Sequence, residues 1–140
     1  MKVYDVYLAG YPDISWRESF LSLIDESITV YDPIIDEYKR LNHEEKADLV
    51  ASELEFIEKS EIIVFYLCKK WQSYFSMLQL GDAVGRGKQV VICIADTIDS
   101  EEKIRRYCEY RGIIVVESLD DLVSTVEEYL AEVELCAVNL

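Results

Sequence analysis

The chain has 140 residues, with 28 acidic and 14 basic side chains and a formal net charge of −14. That charge sets a long-range field against nucleic-acid backbones and anionic membranes as partners, while leaving room for one small phosphate held locally at a helix start. With 51% hydrophobic and 30% charged residues, the composition is globular rather than disordered, and a single domain over residues 1–140 is expected. No apolar run approaches the ~20 residues of a membrane span. Met1–Lys2 leads straight into a strand pattern rather than a signal peptide, so a cytoplasmic protein is expected. Cys68, Cys93, Cys108 and Cys136 are widely spaced and His43 is the one histidine. No metal-type pair exists, and reduced thiols without a metal are the expectation.

Lys2–Gly10 reads as a first strand closed by the turn residues Gly10–Tyr11–Pro12–Asp13. Ser15 is then expected to cap a helix from Trp16 to about Glu26, with Glu18 completing a capping box and Phe20, Leu23 and Ile24 facing inward. Ile28–Tyr31 is a second strand, stopped by Asp32–Pro33. The stretch from Ile34 to Leu41 reads as either a short helical turn or a loop. Asn42 caps a long helix to about Lys59, with Glu45 at the capping-box position. Its apolar stripe is Leu49/Val50, Leu54 and Ile57, and Glu53 lies within that stripe. A carboxylate on a core-facing side is costly unless a partner satisfies it. Glu53 is thus the anomalous acid of the chain, either a functional group or the partner of a buried Arg or Tyr.

Ile62–Leu67 is the most buried strand, followed by the loop Cys68–Gln72. Gln89–Ile94 is the fourth strand. Ser100 is expected to cap a helix from Glu101 to about Tyr110 that Gly112 stops. Ile113–Val116 is a fifth strand, and Ser118 caps a last helix from Leu119 to about Val133. The tail, Leu135–Leu140, is apolar for a free terminus. Strands and helices alternate throughout, which predicts a three-layer α/β fold of flavodoxin/Rossmann-like kind, with helices on both faces of a five-stranded parallel sheet. Neither a dinucleotide glycine fingerprint nor a P-loop is present, so no cofactor is expected.

The stretch between the third and fourth strands organises the functional reading. A crossover helix there starts at the carboxyl end of a strand, where open α/β sheets place ligands. Ser73, Ser76, Gln79 and Ala83 fall on one helical line, small and polar, expected to look into the mouth of the sheet. Met77, Leu80 and Val84 form a second line expected to face the sheet. Trp16 and Arg17 read as core or interface and as surface charge, respectively.

Several segments taken in order resemble the nucleoside 2-deoxyribosyltransferase superfamily, which includes the deoxynucleoside-monophosphate N-hydrolases. They are Val6–Gly10, Trp16–Arg17, Asp32–Pro33, Glu53–Leu54 with Glu61, and Leu80–Ala83 with Gly87–Val91. The resemblance covers roughly Val3 to Ile92. It implies a carboxylate nucleophile attacking the sugar C1′, as in a retaining glycosidase, with an acid that handles the base. By this resemblance Gln79 stands at the nucleophile's position, Glu53 at the acid's, and Tyr7 at that of an assisting tyrosine. Gly10, Trp16, Ser73 and Ser76 are then substrate-binding candidates.

The chain departs from the pattern at Gln79, since an amide is a poor nucleophile. It also carries Phe75 where a small residue is usual, and Tyr11 in place of a proline. The chain is therefore either an inactivated form of a transferase or N-glycosidase, or a relative that binds without this chemistry and senses or sequesters a nucleotide. Ser73 stands where the monophosphate hydrolases carry a serine that touches the 5′-phosphate, and it is equally a plain helix cap. The partners implied are a small-molecule nucleoside or nucleoside monophosphate and a second copy of the chain, as a homodimer or higher homo-oligomer.

Overall fold

The computed structural model describes residues 2–33, 40–70 and 73–138. Most of the ambiguous stretch from Ile34 to Leu41, Trp71–Gln72 of the loop before the central helix, and the last two residues of the tail lie outside the described residues. Among the described residues five strands and five helices alternate: β1 (Tyr4–Gly10), α1 (Ile14–Leu23), β2 (Val30–Tyr31), α2 (His43–Glu58), β3 (Ser60–Leu67), α3 (Tyr74–Gly85), β4 (Gln89–Ile94), α4 (Glu101–Arg111), β5 (Ile114–Val116) and α5 (Leu119–Val138). The strands form one all-parallel sheet in the order β2-β1-β3-β4-β5, the expected three-layer α/β architecture.

The period-2 alternation of strand side chains builds two cores. Val6, Leu8, Ile62, Val64, Val91 and Cys93 face one side, where Trp16, Phe20 and Ile24 at the end of α1 and Leu122, Val123 and Val126 of α5 cover them. Tyr7, Ala9, Ile63, Phe65, Val90 and Ile92 face the other, covered by Ile57 of α2, Leu80 and Ala83 of α3 and Cys108 of α4. From β1 the chain crosses outward to β2, and from β3 it crosses the opposite way to β4. The crevice at the carboxyl ends of β1 and β3 is therefore the switch point of the topology, where this architecture opens a ligand site.

Helix α2 starts with the full capping box: Glu45 N donates to Asn42 Oδ1 at 2.8 Å and Asn42 N to Glu45 Oε1 at 3.3 Å. Ser118 Oγ accepts from Asp121 N at 3.1 Å at the start of α5. Gly112, with φ of +70°, closes α4 in the left-handed conformation that glycine adopts without strain.

Four local expectations are corrected. Helix α1 is capped by Asp13, whose Oδ1 accepts from Ser15 N at 2.7 Å, and not by Ser15 with Glu18. It starts two residues early and ends at Leu23, which is half exposed rather than inward, while Phe20 and Ile24 are buried as expected, with Trp16 and Arg17 beside them. Ser100 precedes α4 with φ of +57° and its hydroxyl makes no cap bond; Glu101 Oε1 accepts from Ile98 N instead, at 3.4 Å. Helix α5 does not stop near Val133 but continues to Val138, so Leu135 belongs to a helix rather than to a loose tail.

Strand β2 is shorter than Ile28–Tyr31: Ile28 N donates to Asp25 O in a turn at 3.0 Å, and Thr29 gives its carbonyl to Asp5 N and Val6 N but its own N–H to the Asp5 carboxylate. The Thr29 backbone N–H and hydroxyl donate to Asp5 Oδ2 at 2.9 and 3.0 Å. Among the described residues no helix is long and apolar enough to cross a membrane.

Candidate functional site

The carboxyl end of β1 turns on Gly10, with φ of +99°. A Cβ there would lie 2.3 Å from the Tyr66 carbonyl oxygen on β3, so only glycine lets the two strands run this close at the mouth. The next residue donates its backbone N–H to that same oxygen at 2.9 Å. Ser73 then caps α3, its Oγ accepting from Ser76 N at 3.3 Å. This use of an oxygen lone pair leaves the serine proton free to donate.

Ser76, Gln79 and Ala83 are buried together with Leu80, while Met77 and Val84 are only partly covered. Leu80 of the second line is in the core as expected, with Met77 and Val84 packed against it, and the polar line faces inward beside them. Its turn places Gln79, 6% exposed, over the face that carries Tyr7, which is fully buried. The Gln79 side chain comes close enough to act on the Tyr7 phenol, yet among the described residues no partner reaches hydrogen-bond geometry with the hydroxyl. A buried hydroxyl without a partner carries a desolvation cost that a bound molecule would relieve. Burial, and then the nearby Glu53 charge, push the phenol far above its ordinary pKa, so Tyr7 stays protonated and offers a donor.

Glu53 lies on α2, 3% exposed. Its pKa is raised by burial, and the positive charge of Arg17 works against that rise. Tyr31 stacks on Tyr7 at 5.5 Å and on Phe56 at 4.3 Å between ring centroids, which walls the Tyr7 side of this group with aromatic surface. Tyr7, Glu53, Gln79 and Ser76 are thus brought to one face at the switch point, with Gly10 and Ser73 at its rim.

Trp16 is not brought into that group. It packs on the opposite face of the sheet, its indole stacked on Tyr66 at 4.7 Å and nearly parallel. It meets the mouth through Nε1, which donates to the Tyr11 carbonyl. Its neighbour corrects a further expectation: Arg17 is not a surface charge but 5% exposed. Its Nη1 donates to Leu8 O at 3.2 Å and to Asp32 Oδ1, while Nε and Nη2 both donate to Tyr11 O at 3.3 Å. The sequence held a signal for this, because Arg17 precedes Phe20 by three residues and Ile24 by seven on the apolar side of α1.

Two shallow depressions lie elsewhere. One, of about 280 Å³, is lined by Val84, Lys88, Arg111 and Ile113 at the amino ends of β4 and β5. The other, of about 270 Å³, is lined by Met77, Leu80, Ile104 and Tyr107 between α3 and α4. Neither contains the titratable and polar cluster at the switch point.

The fold is shared with solved structures. A 2-deoxyribosyltransferase from the psychrotolerant bacterium Bacillus psychrosaccharolyticus superposes with a TM-score of 0.63 at 17% identity, over 87% of this chain and 95% of that one. A conserved protein from Enterococcus faecalis V583 superposes with a TM-score of 0.62 at 16% identity, over 91% of this chain and 99% of that one. No curated protein sequence matches the chain. The family described as nucleoside 2-deoxyribosyltransferase like matches residues 3–97, which run from β1 through the switch-point cluster and past the end of β4. On that match, spanning well over half of its length, the chain belongs to the nucleoside 2-deoxyribosyltransferase like family.

Proposed function

We propose that this chain binds a nucleoside or nucleoside monophosphate through machinery for cleaving the N-glycosidic bond, and that Gln79 leaves it holding the ligand without cleaving it. The observation that carries the reading is the buried trio of Gln79, Glu53 and Tyr7 at the switch point, with the Tyr7 hydroxyl unpartnered among the described residues. Family membership and the relative named as a 2-deoxyribosyltransferase support nucleosides as the ligand class.

The chemistry follows from the residue types. A carboxylate at position 79 would bond to C1′ while the C1′–N bond breaks and its electron pair leaves with the base, which takes a proton from an acid. Water or a second base then displaces the carboxylate from C1′. An amide carries no full negative charge, so Gln79 binds a sugar hydroxyl but does not make that bond. Glu53 suits the acid's part, because a desolvated carboxyl keeps its proton to higher pH than an exposed one. Tyr7 remains a neutral donor. Ser73 keeps a hydroxyl proton for a 5′-phosphate beside the N–H groups of the first turn of α3.

The test is chromatographic detection of free base after incubation with common and modified deoxynucleosides and their monophosphates. The chain as written is expected to bind and release no base, and Gln79→Glu to release it, or exchange it when a second base is supplied. The expected difference is at least 10²–10⁴-fold in rate. A Gln79→Glu form that binds yet releases nothing would make the protein a binding module that senses or sequesters a nucleotide. Equal turnover by both forms would refute the assignment of position 79.

A further inference from the structure

The outer face of α3 is not accounted for by the chemistry of the site. The inner side of this helix is buried through Ser76, Gln79, Leu80 and Ala83. Tyr74, Leu78, Gly81 and Gly85 follow one another at steps of four, three and four, the spacing of a single stripe on a helix, and that stripe lies on the opposite side. Tyr74 is 93% and Leu78 70% exposed, and both glycines are exposed. A Cβ added at either glycine would meet nothing within 4 Å. The stripe is therefore bulky in its amino-terminal half and flat and open in its carboxyl-terminal half. Apolar surface continues beside it, across the depression between α3 and α4 to Tyr107.

Two observations point to what covers this face. The first is its symmetry. Reversing the stripe about its middle sets Tyr74 opposite Gly85 and Leu78 opposite Gly81, each large side chain against a residue that has none. A face complementary to its own reverse is what a two-fold interface requires. The second is charge. The chain carries a net charge of −14, so two copies repel one another unless they meet where charge is absent or balanced. Asp82 is the one charged residue of α3, and Arg86 Nε donates to its carboxylate at 2.9 Å. Leu135 and Val138, exposed near the end of α5, instead have Glu132 and Glu134 one turn before them. We propose that α3 packs against α3 of a second copy of this chain, antiparallel about a two-fold axis at the level of Gln79 and Leu80. Tyr74 and Leu78 of each copy then sit over Gly85 and Gly81 of the other. This pairing does not rest on what the site binds.

The test is analytical ultracentrifugation of the full chain at micromolar concentration, with two sets of variants. The parent is expected to sediment as an assembly of at least two chains. Leu78→Glu sets two carboxylates close together beside the axis, and is expected to at least halve the mass while the far-ultraviolet circular dichroism stays that of the parent. Register is read by crosslinking in a Cys136→Ser background, since Cys136 is the exposed native thiol. Tyr74→Cys co-expressed with Gly85→Cys is expected to form a disulfide-linked dimer under oxygen and copper. Tyr74→Cys alone is not, because the two copies of position 74 lie roughly 16 Å apart along the helix axis. A monomeric parent, an assembly that Leu78→Glu leaves whole, no mixed crosslink, or crosslinking of Tyr74→Cys with itself overturns the proposal. Should Leu78→Glu not fold, the crosslinks decide it. Because no ligand or turnover is involved, a failed base-release assay leaves the outcome unaffected.

Discussion

Glu53 is held by the fold at a cost. Its folded-state pKa lies above the ordinary carboxylate value because burial disfavours the charged form. Between the unfolded and folded pKa values the native state binds more protons than the unfolded one, so stability falls as pH rises through that window. Glu53→Gln removes the titration. We therefore expect the variant to gain stability over the parent as pH rises through this window, and to keep the gain above it. Urea unfolding at pH 4 and pH 8 checks this; a variant less stable than the parent at pH 8 would mean that the carboxylate makes a structural bond. The acid was legible in the sequence because it interrupts an apolar helical stripe. Arg17 interrupts one in the same way on α1, although an arginine in a helix by itself reads as a surface charge. An arginine carries a long apolar stem and is usually exposed at its tip, so its position on a helix says less about burial than a glutamate's does. What fixed it inside was a set of backbone carbonyls and Asp32, each beyond one helical turn from it in sequence and none visible as a local pattern.

Helix starts show why some elements were placed correctly and others shifted. Asn42 and Glu45 form a reciprocal pair three residues apart, so sequence alone selects one register. At α1 both Asp13 and Ser15 carry capping oxygens, and the choice fell to Asp13, which begins the helix at Ile14. The two candidates differ by too little local energy to be separated by pattern. Ser73 presents a sharper case, since the same hydroxyl caps α3 and lies at the rim of the site. Ser73→Ala is expected to cost on the order of 0.5–2 kcal/mol of stability through the lost cap. It should also weaken binding of a monophosphate by on the order of 1–2 kcal/mol relative to the matching nucleoside, as a lost bond to a charged group does. Calorimetric titration of both ligands separates the roles: equal losses would reduce Ser73 to a cap.

At the scale of the molecule, the alternation of strands and helices was enough to give the layers and the parallel sheet, because each buried strand needs a crossover to reach the next. The strand order, which sets the switch point, came only with the structure. The burial of Leu80 on α3 was legible but that of Ser76 and Gln79 beside it was not, since small polar residues pack onto a sheet as readily as they line a mouth. The surface also carries apolar residues without cover, among them Tyr74 and Leu78 on α3 and Leu135 and Val138 near the end of α5. Such exposure predicts a homodimer or higher homo-oligomer, and light scattering that returns a monomer at micromolar concentration would contradict it. The central claim is that the chain as written binds a nucleoside or its monophosphate and leaves it whole. The direct measurement is a calorimetric titration with a panel of these ligands, followed by chromatography of the titrated mixture. The account predicts saturable binding of at least one ligand, recovered intact; no saturable binding across the panel, or recovery of the ligand as free base, would contradict it.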